Sequence, residues 1–138
     1  MNERVEEKAT NEGESQMLEG GCFCGAVRYE VSGAGYETCN CHCSMCRRAS
    51  GAPFVAWFVV PKSEFKVVSG TFKELRSSEH GIRGFCADCG TPVTCELDTD
   101  PEVIDVTTCS LDDPEQLPSK TDVHTDTQLS WIRLSHVS

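Results

Sequence analysis

Ten cysteines in a chain of 138 residues limit what this sequence can fold into more than any other feature. Eight of them stand in three short clusters, and the hydrophobic fraction of the chain is only 38%. A chain this polar needs cross-links or metal ions to supplement its hydrophobic core. The clusters are Cys22-Phe-Cys24, Cys39-Asn-Cys41-His-Cys43-Ser-Met-Cys46 and Cys86-Ala-Asp-Cys89.

The cysteines could form disulfides or bind metal ions, and the N-terminal sequence favours metal. Secreted chains with disulfides normally begin with an apolar targeting segment, whereas residues 1–10 are rich in charge and contain no apolar stretch. The longest apolar run, Phe54 to Val60, has the length of a strand and is too short to span a membrane. Closely spaced cysteines in the cytoplasm are more often metal ligands. We therefore expect a cytoplasmic metal-binding protein with no membrane segment.

The charge and length of the chain restrict its partners and its domain organisation. The formal net charge of −10 would repel the phosphates of a nucleic acid, so no nucleic acid partner is expected. The length suits one domain. Residues 1–16 contain five acidic residues and no apolar periodicity. This composition predicts a disordered acidic tail over residues 1–16 and one domain over residues 17–138.

Short apolar runs predict a mainly β domain. Val27, Tyr29 and Val31 alternate with less apolar residues, which predicts a strand with one buried face. Residues 53–60 are apolar on both faces and predict a central buried strand. The remaining predicted strands are residues 64–68, 71–76, 92–97, 103–108 and 129–134, and one helical turn is predicted to follow the stretch of residues 46–50.

The first and third cysteine clusters each offer two thiolates, which is half of a tetrahedral zinc site. Glycines beside both clusters give the backbone the freedom to wrap around an ion. A sheet can bring together turns that are about sixty residues apart in the sequence. These two clusters therefore predict one four-ligand site made of Cys22, Cys24, Cys86 and Cys89.

The middle cluster is then left to bind an ion of its own. Cys39 continues its C-x-C spacing and could be a fourth ligand that closes this second site, and the spacing alone leaves this open. With only three thiolates, the ion would keep a position for water or a thiol. Iron is an alternative metal, because rubredoxin-type sites also use paired C-x-x-C segments, but the C-x-C spacing favours zinc.

Three segments carry a resemblance to a known family. They are Gly20-Gly-Cys-Phe-Cys-Gly-Ala-Val-Arg-Tyr29, Cys41-His-Cys-Ser-Met-Cys-Arg-Arg-Ala-Ser-Gly51 and Gly84-Phe-Cys-Ala-Asp-Cys-Gly-Thr-Pro92. In this order they resemble the signature of the glutathione-dependent formaldehyde-activating enzyme family, which also includes centromere protein V. The likeness extends from about Leu18 to about Leu134.

The resemblance implies a fold, a cofactor and a division of ligands. The fold would consist of antiparallel sheets pinned by zinc, similar to the Mss4-like β-tent. Two zinc ions per chain are implied, a structural ion on the four outer cysteines and a catalytic ion on Cys41, Cys43 and Cys46. The family motif begins at Cys41, which places Cys39 outside the second site.

The resemblance also implies a carbon–sulfur lyase-type activity, in which glutathione and formaldehyde form S-hydroxymethylglutathione. Zinc keeps a bound thiol deprotonated near neutral pH, which makes the thiol a good nucleophile. Arg47 is the candidate for binding a substrate carboxylate, because a guanidinium group matches a carboxylate. The alternative for Arg47 is a solvated surface position or a surface salt bridge.

Two further functions remain open from the residues. One is a non-catalytic, zinc-stabilised binding module, which would gain support if Cys39 closed the second site. The other is a redox or zinc-exchanging protein whose middle cluster forms disulfides. Among the neighbouring residues, His42 is expected to point away from the ion, with at most an orienting role. Cys95 is expected to be a buried thiol and not a ligand.

Overall fold

The computed structural model describes residues 16–134, except for the side chain of Gln16. Ten strands and one α-helix occur in this range, together with four single-turn 3-10 helices. In chain order the elements are β1 (Gln16–Gly21), β2 (Arg28–Gly33), β3 (Thr38–Cys41), α1 (Ser44–Ser50), β4 (Val55–Pro61), β5 (Phe65–Ser69), β6 (Phe72–Arg76), β7 (Gly81–Cys86), β8 (Pro92–Leu97), β9 (Val103–Thr107) and β10 (Asp122–Val123).

The strands form two sheets. A three-stranded sheet has the order β1-β2-β5, and a seven-stranded sheet has the order β10-β3-β4-β9-β8-β7-β6. All neighbouring strands are antiparallel except β10, which pairs parallel to β3. The mainly β, antiparallel fold class predicted from the sequence is confirmed. Strand β4 lies inside the larger sheet, in agreement with its apolar character on both faces.

The main hydrophobic core forms from residues of both sheets. Tyr29 and Val31 of β2 are fully buried, as their alternation predicted. They belong to one cluster with Phe58 and Val60 of β4 and Val106 of β9. Burying a side chain such as Phe58 contributes about 1.5–3 kcal/mol to folding. This core therefore fixes the position of the larger sheet relative to the smaller one.

The second face of the seven-stranded sheet carries a different set of residues. Cross-strand partners in an antiparallel pair project from the same face of a sheet. Arg83 of β7 is paired with Cys95 of β8, and Cys95 is paired with Asp105 of β9. Trp57 is paired with Cys39 of β3. The β-strand period of two places all of these residues on the face opposite Phe58, together with Cys41.

The expectation that residues 129–134 return to the sheet is wrong. These residues form no strand; the Ile132 amide donates to the carbonyl of Leu129 in a tight turn, and Trp131 is exposed. The edge position beside β3 is occupied instead by β10. An apolar composition without a period of two does not define a strand, and the turn satisfies the backbone locally.

The helical turn expected to follow residues 46–50 lies elsewhere: helix α1 contains that stretch and begins at Ser44. Cys43 caps α1, because its sulfur accepts a hydrogen bond from the amide of Cys46 at 3.2 Å. The helix ends at Gly51, which has a φ of 70° and is therefore suited to a left-handed cap. The cysteine spacing that predicts a metal cluster thus also determines where the helix begins.

The predicted acidic tail lies outside the described residues, apart from Gln16, which begins β1. Within residues 16–134, no helix is long and apolar enough to cross a bilayer.

Candidate metal centres

Two groups of cysteines come together in the structure. The first, named here the four-cysteine centre, brings together two turns that are 62 residues apart in the sequence, measured from Cys24 to Cys86. The second, the three-cysteine centre, is built from one continuous segment. Within each group, the sulfur atoms all lie within 4.8 Å of one another. The four-cysteine centre consists of Cys22, Cys24, Cys86 and Cys89, and the three-cysteine centre consists of Cys41, Cys43 and Cys46.

The spacing of sulfurs in the four-cysteine centre fits a tetrahedral zinc ion. The sulfur of Cys24 lies 3.6 Å from that of Cys22 and 3.8 Å from that of Cys86. Zinc–sulfur bonds of about 2.3 Å in a tetrahedron give sulfur–sulfur distances of about 3.8 Å. None of the ten cysteines forms a disulfide. These four sulfurs could hold a metal ion and fill all four of its tetrahedral positions, so that no position remains for a substrate.

Backbone amides support the thiolates of the four-cysteine centre. The amide of Val27 donates to the sulfur of Cys22 at 3.2 Å, and the amides of Asp88 and Cys89 donate to Cys86 at 3.3 and 3.4 Å. Gly90 has a φ of 83°, which lets the chain turn back sharply after the last cysteine. Hydrogen bonds to a thiolate stabilise its charged form. The two turns are therefore prepared to bind a cation.

The same effect appears in the pKa values of two of these four thiols. Burial alone would raise the pKa of Cys22, but the hydrogen bond from Val27 contributes to a net lowering. The hydroxyl of Thr91, which lies 3.2 Å from the sulfur of Cys89, lowers the pKa of that thiol to about 6. For Cys24 a backbone hydrogen bond lowers the pKa, but hydrogen bonding with the neighbouring thiols and burial raise it to about 12 overall. Thiolates are the form of cysteine that binds metal.

The three-cysteine centre is placed by the end of a strand and the start of a helix. Cys41 is the last residue of β3, Cys43 caps α1, and Cys46 lies in the first turn of that helix. Cys41 and Cys46 are buried, whereas Cys43 is half-buried. These three sulfurs could hold a second ion, with a coordination position left for a fourth ligand.

Cys39 and Cys95 pack against the three-cysteine centre, but neither sulfur belongs to it. Burial, followed by the charge of Asp105, raises the pKa of Cys39 to about 11. Burial is also the main cause of the raised pKa of Cys95. Their place outside the group of sulfurs that lie within 4.8 Å of one another, and not their pKa, separates these two thiols from the three candidate ligands.

Arg83 contacts the three-cysteine centre and was not anticipated from the sequence. Its Nη2 atom donates to the sulfur of Cys46 at 3.7 Å, and its Nε atom donates to the Ser77 hydroxyl at 3.2 Å. The pKa of Cys46 is lowered to about 5, chiefly by hydrogen bonding with Cys41, with further contributions from Arg83 and Trp57. The same contact with Cys46 raises the pKa of Cys41, so Cys46 is the thiolate of this hydrogen-bonded pair and Cys41 the thiol.

Asp105 is the second residue of this face that sequence reasoning missed. It is a carboxylate in the otherwise apolar run of β9, and that interruption was the available signal. Burial is the main cause that raises the pKa of Asp105 to about 6, and the charges of Cys46 and Asp100 raise it further. An acid group that still carries a proton at mildly acidic pH therefore lies on the same face as the three-cysteine centre.

The raised pKa of Asp105 predicts a pH-dependent contribution to stability. The folded state binds this proton more tightly than the unfolded state, so the free energy of unfolding falls as pH rises from about 4 to about 6. Removing the charge in Asp105→Asn is expected to stabilise the protein by about 3 kcal/mol above pH 6. Urea denaturation of both zinc-loaded proteins from pH 5 to 7.5, with the zinc content checked at each pH, measures this. A stability difference that does not change with pH would contradict the prediction.

His42 is fully buried between two candidate ligands and is not a member of the three-cysteine centre. Its Nε2 atom lies 2.8 Å from a carboxylate oxygen of Asp122, and its ring lies against Phe54. Its backbone amide and carbonyl bond to Val123 and Thr127. These contacts attach the cysteine segment to β10 and the residues after it, so His42 orients the backbone of the centre.

Arg47, the candidate from the sequence for binding a carboxylate, lies in α1. Its Nε atom is buried and has no hydrogen-bond partner within the described part of the chain. No ion pair of Arg47 is found among residues 16–134. A role in substrate binding for this residue therefore stays a prediction.

Comparisons with known proteins agree with this fold, and the residues matched by a family model include both groups of cysteines. The family model described as glutathione-dependent formaldehyde-activating enzyme matches residues 17–127. A protein of Halomonas elongata named for the same activity is 27% identical over 127 residues, which cover 86% of this chain and 81% of that protein. A crystal structure of a Rhodobacter sphaeroides protein superposes with a TM-score of 0.61 at 26% identity, covering 76% of this chain and 99% of that one. This chain belongs to the glutathione-dependent formaldehyde-activating enzyme family.

Proposed function

We propose that this protein is a zinc-dependent, carbon–sulfur lyase-type enzyme that joins a small thiol such as glutathione to formaldehyde. The observation that carries the proposal is the difference between the two centres. Four cysteine sulfurs meet at one of them, whereas three meet at the other. A closed site suits a structural ion, and an open one suits a substrate. The family match and the name of the Halomonas relative support the choice of thiol and aldehyde.

The proposal assigns two zinc ions to each chain. Cys22, Cys24, Cys86 and Cys89 would hold the structural ion, and their sulfur spacing supports this. Cys41, Cys43 and Cys46 would hold the catalytic ion. A zinc ion with one position left free supplies Lewis acidity to a thiol or a carbonyl oxygen.

The reaction itself balances without an oxidant or reductant. The thiol sulfur forms a bond to the aldehyde carbon, the π electrons of the carbonyl move to oxygen, and that oxygen receives the proton lost by the thiol. The chain contributes by keeping Cys46 charged through Arg83 and by holding the segment rigid through His42. Arg47, which has no ion-pair partner in the described residues, is proposed to meet an anionic part of the thiol.

Exchange spectroscopy by NMR tests this activity. Zinc-loaded protein is expected to accelerate the interconversion of glutathione plus formaldehyde with S-hydroxymethylglutathione. Cys41→Ser is expected to abolish the acceleration. Cys109→Ser provides a matched control, because Cys109 is exposed and lies outside both centres. Absence of any acceleration by protein with two bound zinc ions would refute the proposal and favour a non-catalytic binding module.

A second candidate function is zinc release on oxidation, and one observation favours it. Cys39 and Cys95 are free thiols packed against the three-cysteine centre, where they could become disulfide partners. Under this alternative, mild peroxide releases one zinc ion per chain and forms a disulfide within the middle cluster, with the peroxide as oxidant. Zinc release measured with a chromogenic chelator, followed by peptide mapping, distinguishes it from the enzyme proposal.

The cytoplasm is the compartment that this proposal requires. All ten cysteines are free thiols in the structure, and a reducing environment keeps thiols in that state. Fractionation of cells that express the tagged protein tests the assignment.

A further inference from the structure

The guanidinium group of Arg83 occupies an unusual position. It lies on the same sheet face as Cys41, in register with Cys95 and Asp105. Its Nη2 atom is 3.7 Å from the sulfur of Cys46, and its Nε atom bonds to Ser77. The side chain is half-buried, so it is not simply a solvated surface charge.

Arg83 also has no carboxylate within ion-pair distance among residues 16–134. Two arginines of residues 16–134 do have one: Arg28 contacts Asp112, and Arg76 contacts Asp98. The chain carries 22 acidic residues against 12 basic ones, so acidic partners are abundant. Withdrawing a guanidinium group from water without an anion is unfavourable. The Cys46 thiolate compensates for part of this cost.

The hydrogen-bonding capacity of Arg83 is only partly used. A guanidinium group has five N–H donors arranged as a fork, and among residues 16–134 only the contacts with Ser77 and Cys46 use them. Free donors of this fork match the two oxygens of a carboxylate. Because Cys46 is so close, an anion bound by Arg83 would stand beside the three-cysteine centre.

From these contacts we infer that Arg83 binds a carboxylate of the thiol substrate, and that the enzyme therefore prefers small thiols bearing a carboxylate to neutral thiols of equal size. This inference rests on the proposed function, because it takes the three-cysteine centre as the place where the thiol sulfur binds. Arg83 is thus a specificity residue in addition to a partner of Cys46. A thiol of equal size with a neutral group in place of the carboxylate would lack this contact.

A matched pair of thiols tests the inference in the zinc-loaded protein. Binding of 3-mercaptopropionate and of 3-mercaptopropionamide is followed by ¹H–¹⁵N NMR titration. The wild-type protein is expected to bind the acid at least about tenfold more tightly than the amide, as one charged hydrogen-bonding contact provides. Arg83→Met is expected to bring the two affinities together by weakening the acid alone.

Control variants separate this role from a purely electrostatic one at the centre. Arg83→Lys keeps the charge but loses the fork, and is expected to lose most of the preference for the acid while keeping two zinc ions. This variant also serves if Arg83→Met loses zinc. Arg76→Met removes an arginine on the neighbouring strand that is paired with Asp98, and should keep the full preference. Zinc content is measured for every variant.

Several outcomes would overturn the inference. The inference fails if both Arg83 variants keep the wild-type preference for the acid, or if they weaken the binding of acid and amide equally. It also fails if Arg47→Met and not Arg83→Met removes the preference, or if the wild-type protein binds neither thiol. The proposed function is tested separately by the formaldehyde exchange rate. If the protein does not accelerate formaldehyde exchange but still prefers the acid in an Arg83-dependent way, the proposed reaction is refuted and the carboxylate site at Arg83 is supported. If the protein accelerates formaldehyde exchange but binds acid and amide equally, the proposed reaction is supported and the carboxylate site at Arg83 is refuted.

Discussion

Cys86→Ser is expected to unfold the domain or to destabilise it severely, with loss of the structural zinc ion. Cys86 is almost fully buried. Its sulfur lies 3.8 Å from that of Cys24 and accepts hydrogen bonds from two backbone amides. A structural zinc ion supplies on the order of 10 kcal/mol of folding free energy. Small domains have a net stability of about 5–15 kcal/mol. Loss of the ion would therefore remove most or all of the net free energy of unfolding.

Circular dichroism, thermal denaturation and zinc analysis of the purified variant measure this effect. Cys109→Ser is the matched control, because the same replacement is made at an exposed cysteine outside both centres. It should keep the melting temperature and the zinc content of the wild type. A folded Cys86→Ser protein with unchanged zinc content would show that the two outer cysteine turns do not share an ion.

Cys46→Ser is expected to give a different result: a folded protein that lacks one zinc ion and all activity. The three-cysteine centre forms its own small cluster with Trp57, separate from the main core of Phe58, Val60 and Val106. The four-cysteine centre and the main core remain intact in this variant. Removing one of only three thiolates should abolish tight metal binding there, because serine is a poor zinc ligand.

The comparison of Cys46→Ser with Cys86→Ser is the informative measurement. We expect a fall in melting temperature of a few degrees for the first variant and loss of the cooperative transition for the second. Formaldehyde exchange should vanish in both. If both variants collapse equally, the separation into a structural and a catalytic centre is wrong.

The sequence was most informative where the alternation of apolar residues or the spacing of cysteines determines the local structure. The alternation of Val27, Tyr29 and Val31 predicted a buried face, and all three residues are buried. The apolar run of residues 53–60 predicted the central strand β4. Cysteine spacing indicated two groups of thiols, and the structure gathers the same residues. Whether these groups bind zinc, and which of them is catalytic, stays a prediction.

The residues that sequence reasoning missed depend on register. Arg83 reaches Cys46 only because β7, β8 and β9 pair so that Arg83, Cys95 and Asp105 stand in one row. Spacing along the chain contains no information about this alignment, since the three residues belong to different strands. The burial of His42 likewise depends on Asp122, which lies 80 residues further along the chain.

Other differences have local causes. Strands β3 and β7 contain cysteine, asparagine or glycine in place of a clear apolar alternation, so their periodicity was too weak to predict them. Residues 129–134 have the composition of a strand but form a turn. Composition alone therefore overestimated the C-terminal part of the sheet.

Anomalous diffraction at the zinc edge from a crystal of the purified protein tests the central claim most directly. We predict two peaks per chain: one surrounded by the sulfurs of Cys22, Cys24, Cys86 and Cys89, and one bound by three cysteine sulfurs and a ligand from outside the chain. A single peak, or a second peak whose fourth ligand is the sulfur of Cys39, would contradict the account.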